Sequence, residues 1–214
     1  MAKPEAGGGT AGLVLAGGGS QRFGTEKAVA AFRGRPMMAW SVAALAARCA
    51  SVAVVAARGS RAEAVGGALD LVVLRDDPAH PKGPLAGVAA GLKWAAARGA
   101  GRLVTLPCDT PLVTAAQIGV LLDAAGMDGA WAVTDAGPQS LCAVWPTRLA
   151  AALADRLAGG DHPPVHDWLA RIGARAVWFD DARVFRNINT RPDLLLPPRK
   201  TAHTGGKGAQ DDDS

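Results

Sequence analysis

The chain has 214 residues, enough for one domain with a full hydrophobic core. Its apolar share of 49% excludes wholesale disorder, and no apolar run nears the roughly 18 residues that span a bilayer. A net charge of +4 from scattered lysines and arginines offers no basic stripe for nucleic acid, and three widely spaced cysteines offer no disulfide framework.

In chain order, residues 1–10 are polar and glycine-rich and read as a flexible leader. They lack the charged-then-apolar layout of a signal peptide, which together with the cysteine pattern points to a reducing cytoplasm. Val14 lies in the first predicted strand, which runs into Gly17-Gly18-Gly19. Pro36 is placed to open a helix through Trp40, Ala44 and Ala47. Strands are expected at 51–56 and 71–74. Pro84 opens a helix with Leu85, Val88, Ala89, Leu92 and Ala96 at helical spacing. A fourth strand at 103–106 precedes Thr114, an N-cap for a helix carrying Ile118, Leu121 and Leu122. Strands at 130–134, 141–145 and 176–179 complete the pattern, and from 197 onward an apolar-poor stretch reads as a disordered tail. The expectation is a single α/β domain over 11–196, with a Rossmann-like three-layer α/β/α architecture around a mostly parallel sheet. Ligands of such sheets bind outside the carboxyl ends of the strands.

The segment from Leu13 to Lys27 is the first candidate site. An apolar strand opens into three glycines whose bare N–H groups suit an anion, and Arg22 and Lys27 add charge for a polyphosphate. It is not a dinucleotide fingerprint, because Arg22 stands where G-x-G-x-x-G requires its third glycine. Nor is it a P-loop: Gly19 and Gly24 have that spacing, but Thr25-Glu26 intervene before Lys27. A plain glycine turn with surface cations is the bland alternative. A second constellation weighs against it: the strand at 103–106 ends in Pro107-Cys108-Asp109-Thr110-Pro111, and Asp76-Asp77 follow the third strand. A strand-end aspartate taken alone is often a cap or turn residue. Beside a phosphate loop, its hard oxygens suit Mg²⁺, which takes one or two protein carboxylates plus phosphate oxygens.

His162 and His166 have a metal-like spacing, but Pro163-Pro164 between them disrupt a helical turn, so they are set aside as a metal site. Cys108 is read as a packing residue and not as a nucleophile, and Trp94 and Trp168 as core or interface residues.

Leu15-Ala16-Gly17-Gly18, Ser20-Gln21-Arg22-Phe23-Gly24, Lys27, Asp76, Gly83-Pro84-Leu85-Ala86-Gly87, Pro107-Cys108-Asp109-Thr110-Pro111 and Asn187-Ile188-Asn189-Thr190 resemble, in order, the motifs of the molybdenum cofactor guanylyltransferases. The resemblance spans about 11–195. It implies GMP transfer from GTP to the terminal phosphate of molybdopterin, with Mg²⁺ as cofactor and pyrophosphate released. It implies nucleotide binding by Leu15, Ala16, Gly17, Lys27, Asp76 and Asp109, catalytic roles for Arg22, Lys27 and Asp109, and the metal on Asp109. By the same resemblance, Thr110 favours the guanylyl branch over a cytidylyltransferase for the same cofactor or for a sugar or polyol phosphate. A nucleotide-binding domain without catalysis is the remaining alternative, and intact Arg22, Lys27 and Asp109 argue against it. Hand-over of product to molybdoenzymes or their chaperones follows as an expected partnership; nucleic acid and membrane do not. The family often carries asparagine at the end of the second strand, where Ala56 stands here, so that contact does not transfer.

Overall fold

The computed structural model of the chain describes residues 9–17, 26–190 and 192–195. Seven strands form one sheet: β1 (Thr10–Leu15), β4 (Ser51–Val55), β5 (Val72–Leu74), β6 (Arg102–Pro107), β7 (Ala130–Thr134), β8 (Gly137–Pro146) and β9 (Arg175–Trp178). Their order is β5-β4-β1-β6-β8-β7-β9. All neighbours pair in parallel except those of β8, which runs antiparallel to both β6 and β7. A small hairpin of β2 (Ala31–Phe32) and β3 (Arg35–Pro36) stands apart from the sheet.

Among the described residues six α-helices cover the two faces: α1 (Met37–Ala46), α2 (Arg61–Ala68), α3 (Pro84–Ala97), α4 (Ala115–Ala124), α5 (Ala150–Ala158) and α6 (Val165–Arg171). Because strand side chains alternate, Val14, Val54 and Val104 pack with Met38 and Leu45 of α1 and Ile118 and Leu121 of α4. Leu13, Val55 and Leu103 face the other way, onto Leu85, Val88 and Leu92 of α3 and Leu153 and Leu157 of α5. The expected three-layer α/β/α arrangement is what forms. Near-continuous apolar runs in β1, β4 and β6 follow from burial on both faces.

Local signals act where expected. Thr114 caps α4 in a full capping box with Gln117. Pro84 sits in the first turn of α3, and Pro36, placed as a helix start, closes β3 and caps α1 instead. The strands lie within a residue or two of their expected bounds, except that β8 starts earlier, at Gly137. The sequence assigns nothing to α2, α5 or the β2–β3 hairpin, and of α6 only that Trp168 falls in a helical pattern. The expected leader and tail lie outside the described residues, except for Gly9 and Thr10, the latter being the first residue of β1.

β1 is the pivot of the topology. The chain moves from β1 to β4 and β5 on one side, then crosses by α3 to β6 on the other. Ligands of open α/β sheets bind at such a reversal, here at the carboxyl ends of β1, β4 and β6, where Leu15 pairs with Val55 and Pro107.

Candidate active site

Just past this edge the backbone stays tied together. Ala16 N–H donates to the Val55 carbonyl at 3.0 Å, and Cys108 N–H donates to the Leu15 carbonyl at 3.1 Å. The chain leaves at Gly17 and is described again from Glu26. Arg22, Gly18 and Gly19 lie outside the described residues.

The return is anchored. The Glu26 carboxylate accepts from Arg61 N–H at 2.7 Å and Ala62 N–H at 2.9 Å, the two free donors that open α2. A carboxylate there satisfies orphan amides and meets the positive end of the helix. Lys27 follows at the start of a 3-10 turn whose Ala28 is buried in the core. Its Nζ lies 3.1 Å from Asp109 Oδ2 and donates to Asn189 Oδ1 at 2.5 Å. Both charged side chains are mostly buried, at 23% and 16% exposure, so their attraction is less screened than that of a surface pair.

Asp109 sits in the turn after β6. Thr110 Oγ1 and Ser41 Oγ both donate to the Pro107 carbonyl, at 3.1 and 3.0 Å, which fixes where the strand stops. Ile188 N–H donates to the Asp109 carbonyl at 2.8 Å, and the Ile188 side chain is fully buried with Phe32 and Met37. The segment around Asn187-Ile188-Asn189-Thr190 is thereby strapped across the carboxyl edge.

Asp76 follows β5, two strands from β1. Its Oδ1 lies 3.6 Å from where a Cβ on Gly87 would stand, and a Leu15 methyl lies 3.1 Å from the same point. Glycine at 87 in the first turn of α3 therefore lets Asp76, Leu15 and the helix share one corner. Although Asp76 is exposed as a whole, partial desolvation of its carboxyl raises its pKa above the ordinary carboxylate value, and nearby His80 opposes the shift. The site thus has two corners: Asp76 with Leu15 on one side of β1, and Lys27, Asp109 and Asn189 on the other.

Ala56, in the place of the family asparagine, is buried, and its carbonyl accepts from Arg75 at 3.1 Å. Arg75 also pairs with Glu63 of α2. The Cys108 thiol is buried and pushed up to about 12, mainly by desolvation, so it is no nucleophile near neutral pH. His162 lies in the loop before α6 with its ring against Gly83, while His166 lies within α6 next to Asp167. Among the described residues no group of three His, Cys, Asp or Glu gathers to hold a metal. Trp168 is a core residue, as expected.

The sequence alone does not single out Asn189, which bonds Lys27, or Glu26, which anchors the return of the loop; Asp193, whose carboxylate accepts from the Asn189 and Thr190 N–H groups, is not singled out either. Thr190 and Asp193 carry a readable signal, since a threonine followed three residues later by an acid is a helix-start pattern. Glu26 carries none, because its partners lie 35 and 36 residues away.

Against known proteins, residues 12–176 match the MobA-like NTP transferase domain. The chain belongs to that family. It is a nucleotidyltransferase. A molybdenum cofactor guanylyltransferase from Cereibacter sphaeroides is 44% identical over 186 residues, covering 86% of this chain and 92% of that one. One from Acidiphilium cryptum is 38% identical over 187 residues, covering 85% and 90%. These relatives bear out the resemblance read from the motifs. Among solved structures, molybdopterin-guanine dinucleotide biosynthesis protein A from Archaeoglobus fulgidus is similar at a TM-score of 0.67 and 23% identity, over 86% of this chain and 94% of that one. The 2-C-methyl-D-erythritol 4-phosphate cytidylyltransferase from Thermus thermophilus shares the fold at a TM-score of 0.59 and 18% identity, over 86% and 94%. No helix among the described residues is long and apolar enough to cross a membrane.

Proposed function

We propose that this enzyme transfers GMP from GTP to the terminal phosphate of molybdopterin, releasing pyrophosphate with Mg²⁺ bound, in the cytoplasm. The observation that carries the reading is the Lys27–Asp109–Asn189 cluster at the carboxyl ends of β1 and β6, in a chain whose relatives at 38–44% identity are named molybdenum cofactor guanylyltransferases.

The reaction needs no protein nucleophile. The acceptor phosphate is already ionised near neutral pH, so it attacks the α-phosphate of GTP in line and expels pyrophosphate without a general base. The protein's work is to position two anions and offset charge on the phosphoryl group in transfer. Leu15, Ala16 and Gly17 present backbone to the nucleotide, and Asp76 meets it from the other corner. Lys27 holds the phosphates, with Arg22 as its proposed companion. Asp109 is a single hard carboxylate, which fits Mg²⁺ of the kind completed by phosphate oxygens and water. When bound there, the ion supplies Lewis-acid charge at the α-phosphate. A groove of about 410 Å³ lined by Gln139, Arg183, Phe185, Arg186, Asn187 and Asn189 adjoins this cluster through Asn189. Asp193 also lines it and its two arginines are ion-paired, Arg183 with Asp181 and Arg186 with Asp193, so its amides are what suit a hydrogen-bonding acceptor.

Calorimetric titration of GTP, CTP, ATP and UTP with Mg²⁺ tests the reading, and GTP is expected to bind tightest. A preference for CTP moves the chain to the cytidylyl branch, and no binding at all favours a non-catalytic domain. Asp109→Ala is expected to abolish Mg²⁺-dependent transfer while keeping the far-ultraviolet circular dichroism of the parent. Near-normal transfer by that variant would falsify the role of Asp109.

A further inference from the structure

We propose that Asp193 is a positioning residue for the transfer, acting on Lys27 through Asn189. The inference rests on the reading of Lys27 as the phosphate ligand. Asp193 stands at the end of the strap, in a 3-10 turn over Pro192–Leu195, and its side chain is 13% exposed. Its Oδ2 accepts three hydrogen bonds: from Asn189 N–H at 3.1 Å, Thr190 N–H at 2.9 Å and Thr190 Oγ1 at 2.8 Å. Its Oδ1 takes the Arg186 guanidinium at 2.7 Å. All these donors belong to the strap, so the carboxylate gathers both ends of the 186–190 segment around itself.

In between, the strap is pinned to the catalytic cluster. Ile188 is buried with Phe32 and Met37, and its N–H holds the Asp109 carbonyl. With the backbone at Asn189 fixed from both sides, its amide oxygen is aimed at the Lys27 ammonium. A carboxylate that only closed a local turn would have no consequence at a lysine 166 positions earlier in the chain (193 − 27). The relay Asp193–Asn189–Lys27 gives it one, since the reacting geometry of such a site is sensitive to displacements near 1 Å.

The test uses the full chain and compares GTP with guanosine, which lacks phosphates, by competition binding, alongside kcat and KM. The parent is expected to prefer GTP strongly, and Lys27→Ala to remove most of that preference. Asp193→Asn keeps the shape but weakens the acceptor. It is expected to lower the GTP-to-guanosine preference and kcat each by about tenfold, with guanosine affinity unchanged. Placed in Lys27→Ala, Asp193→Asn is expected to change the preference by less than about twofold, the non-additivity of linked residues. Asn189→Ala removes the middle link without touching the turn and is expected to reproduce the loss, which keeps the test open if Asp193→Asn folds poorly. Equal losses for GTP and guanosine, additivity with Lys27→Ala, or an Asn189→Ala variant with the parent's preference each overturn the relay. A parent without any preference for GTP, or one that Lys27→Ala leaves intact, overturns the reading of Lys27 and the relay with it.

Discussion

Lys27 and Asp109 are held by each other and by partners that sit far away in sequence, so substitutions at the two should be coupled. Lys27→Ala removes a charge-assisted donor worth about 1.5–3 kcal/mol, which corresponds to roughly ten- to hundredfold weaker GTP binding. Lys27→Arg is expected to restore little of it, because a planar guanidinium replaces a compact ammonium within hydrogen-bond reach of both Asp109 and Asn189. Cys108 predicts the opposite. With its thiol near 12, Cys108→Ala should leave transfer rates unchanged, and alkylation by iodoacetamide should be slow at pH 7. Asp193 adds a pH dependence. Its hydrogen bonds from Thr190 and the strap backbone, together with Arg186, hold its carboxyl below the usual carboxylate value. The folded state therefore releases this proton more readily than the unfolded one. The resulting stabilisation is complete above about pH 4 and is lost as pH falls through the lowered folded value. Urea denaturation of the parent and Asp193→Asn should accordingly differ at neutral pH and converge in strong acid.

At the level of elements, α3 positions the Asp76 corner by riding unusually close to the sheet. A Cβ on Gly91 would stand 2.4 Å from a Leu13 methyl and 3.0 Å from a Leu103 methyl, both in the fully buried core. Gly91→Ala should overpack this contact and destabilise the fold by about 1–3 kcal/mol in denaturant titration, despite the better helix propensity of alanine. Thr114→Ala should cost about 1 kcal/mol through loss of the α4 cap. The strands, α3 and α4 were legible because runs of valine and leucine, Pro84 in the first turn of α3 and the Thr114 cap of α4 speak locally. α2 was not, since its Gly66 and Gly67 mask any helical period. Gly66 is there because a Cβ would meet Val54 at 2.8 Å, a packing reason that no local pattern reveals. α5 had its signal in Leu149, Leu153 and Leu157 at steps of four, while α6 is only seven residues long and follows two prolines. In the site, Lys27 and Asp109 could be picked out by residue type and place. Asn189 surfaced only as part of a motif, because its meaning lies in a bond to a residue at the other end of the domain.

For the whole molecule, the pivot at β1 means that ligand binding should be felt as global stability. The site borders β1, β4 and β6, which also carry the two main cores, so a nucleotide there ties the sheet to both helical layers. GTP with Mg²⁺ at a hundred times its dissociation constant should add about 2.7 kcal/mol to unfolding, visible as a raised Tm. Asp109→Ala should blunt that rise. The antiparallel β8 seals the other half: Thr105 Oγ1 donates to the Leu141 carbonyl at 2.7 Å and accepts from the buried Trp145 Nε1 at 2.9 Å. Thr105→Val keeps the volume but orphans the indole N–H, at a cost of about 1–3 kcal/mol.

The bond from Lys27 to Asn189 spans 162 residues, and this sets a clock on the protein's birth. At elongation rates of about 5–20 residues per second, roughly 8–30 seconds separate the synthesis of the lysine from that of its amide partner. Once β6 has been made, β1, β4 and β6 can pair, yet the strap that aims the ammonium does not exist. The strap follows every strand of the sheet in the chain, so competence arrives with almost the last turn of the domain.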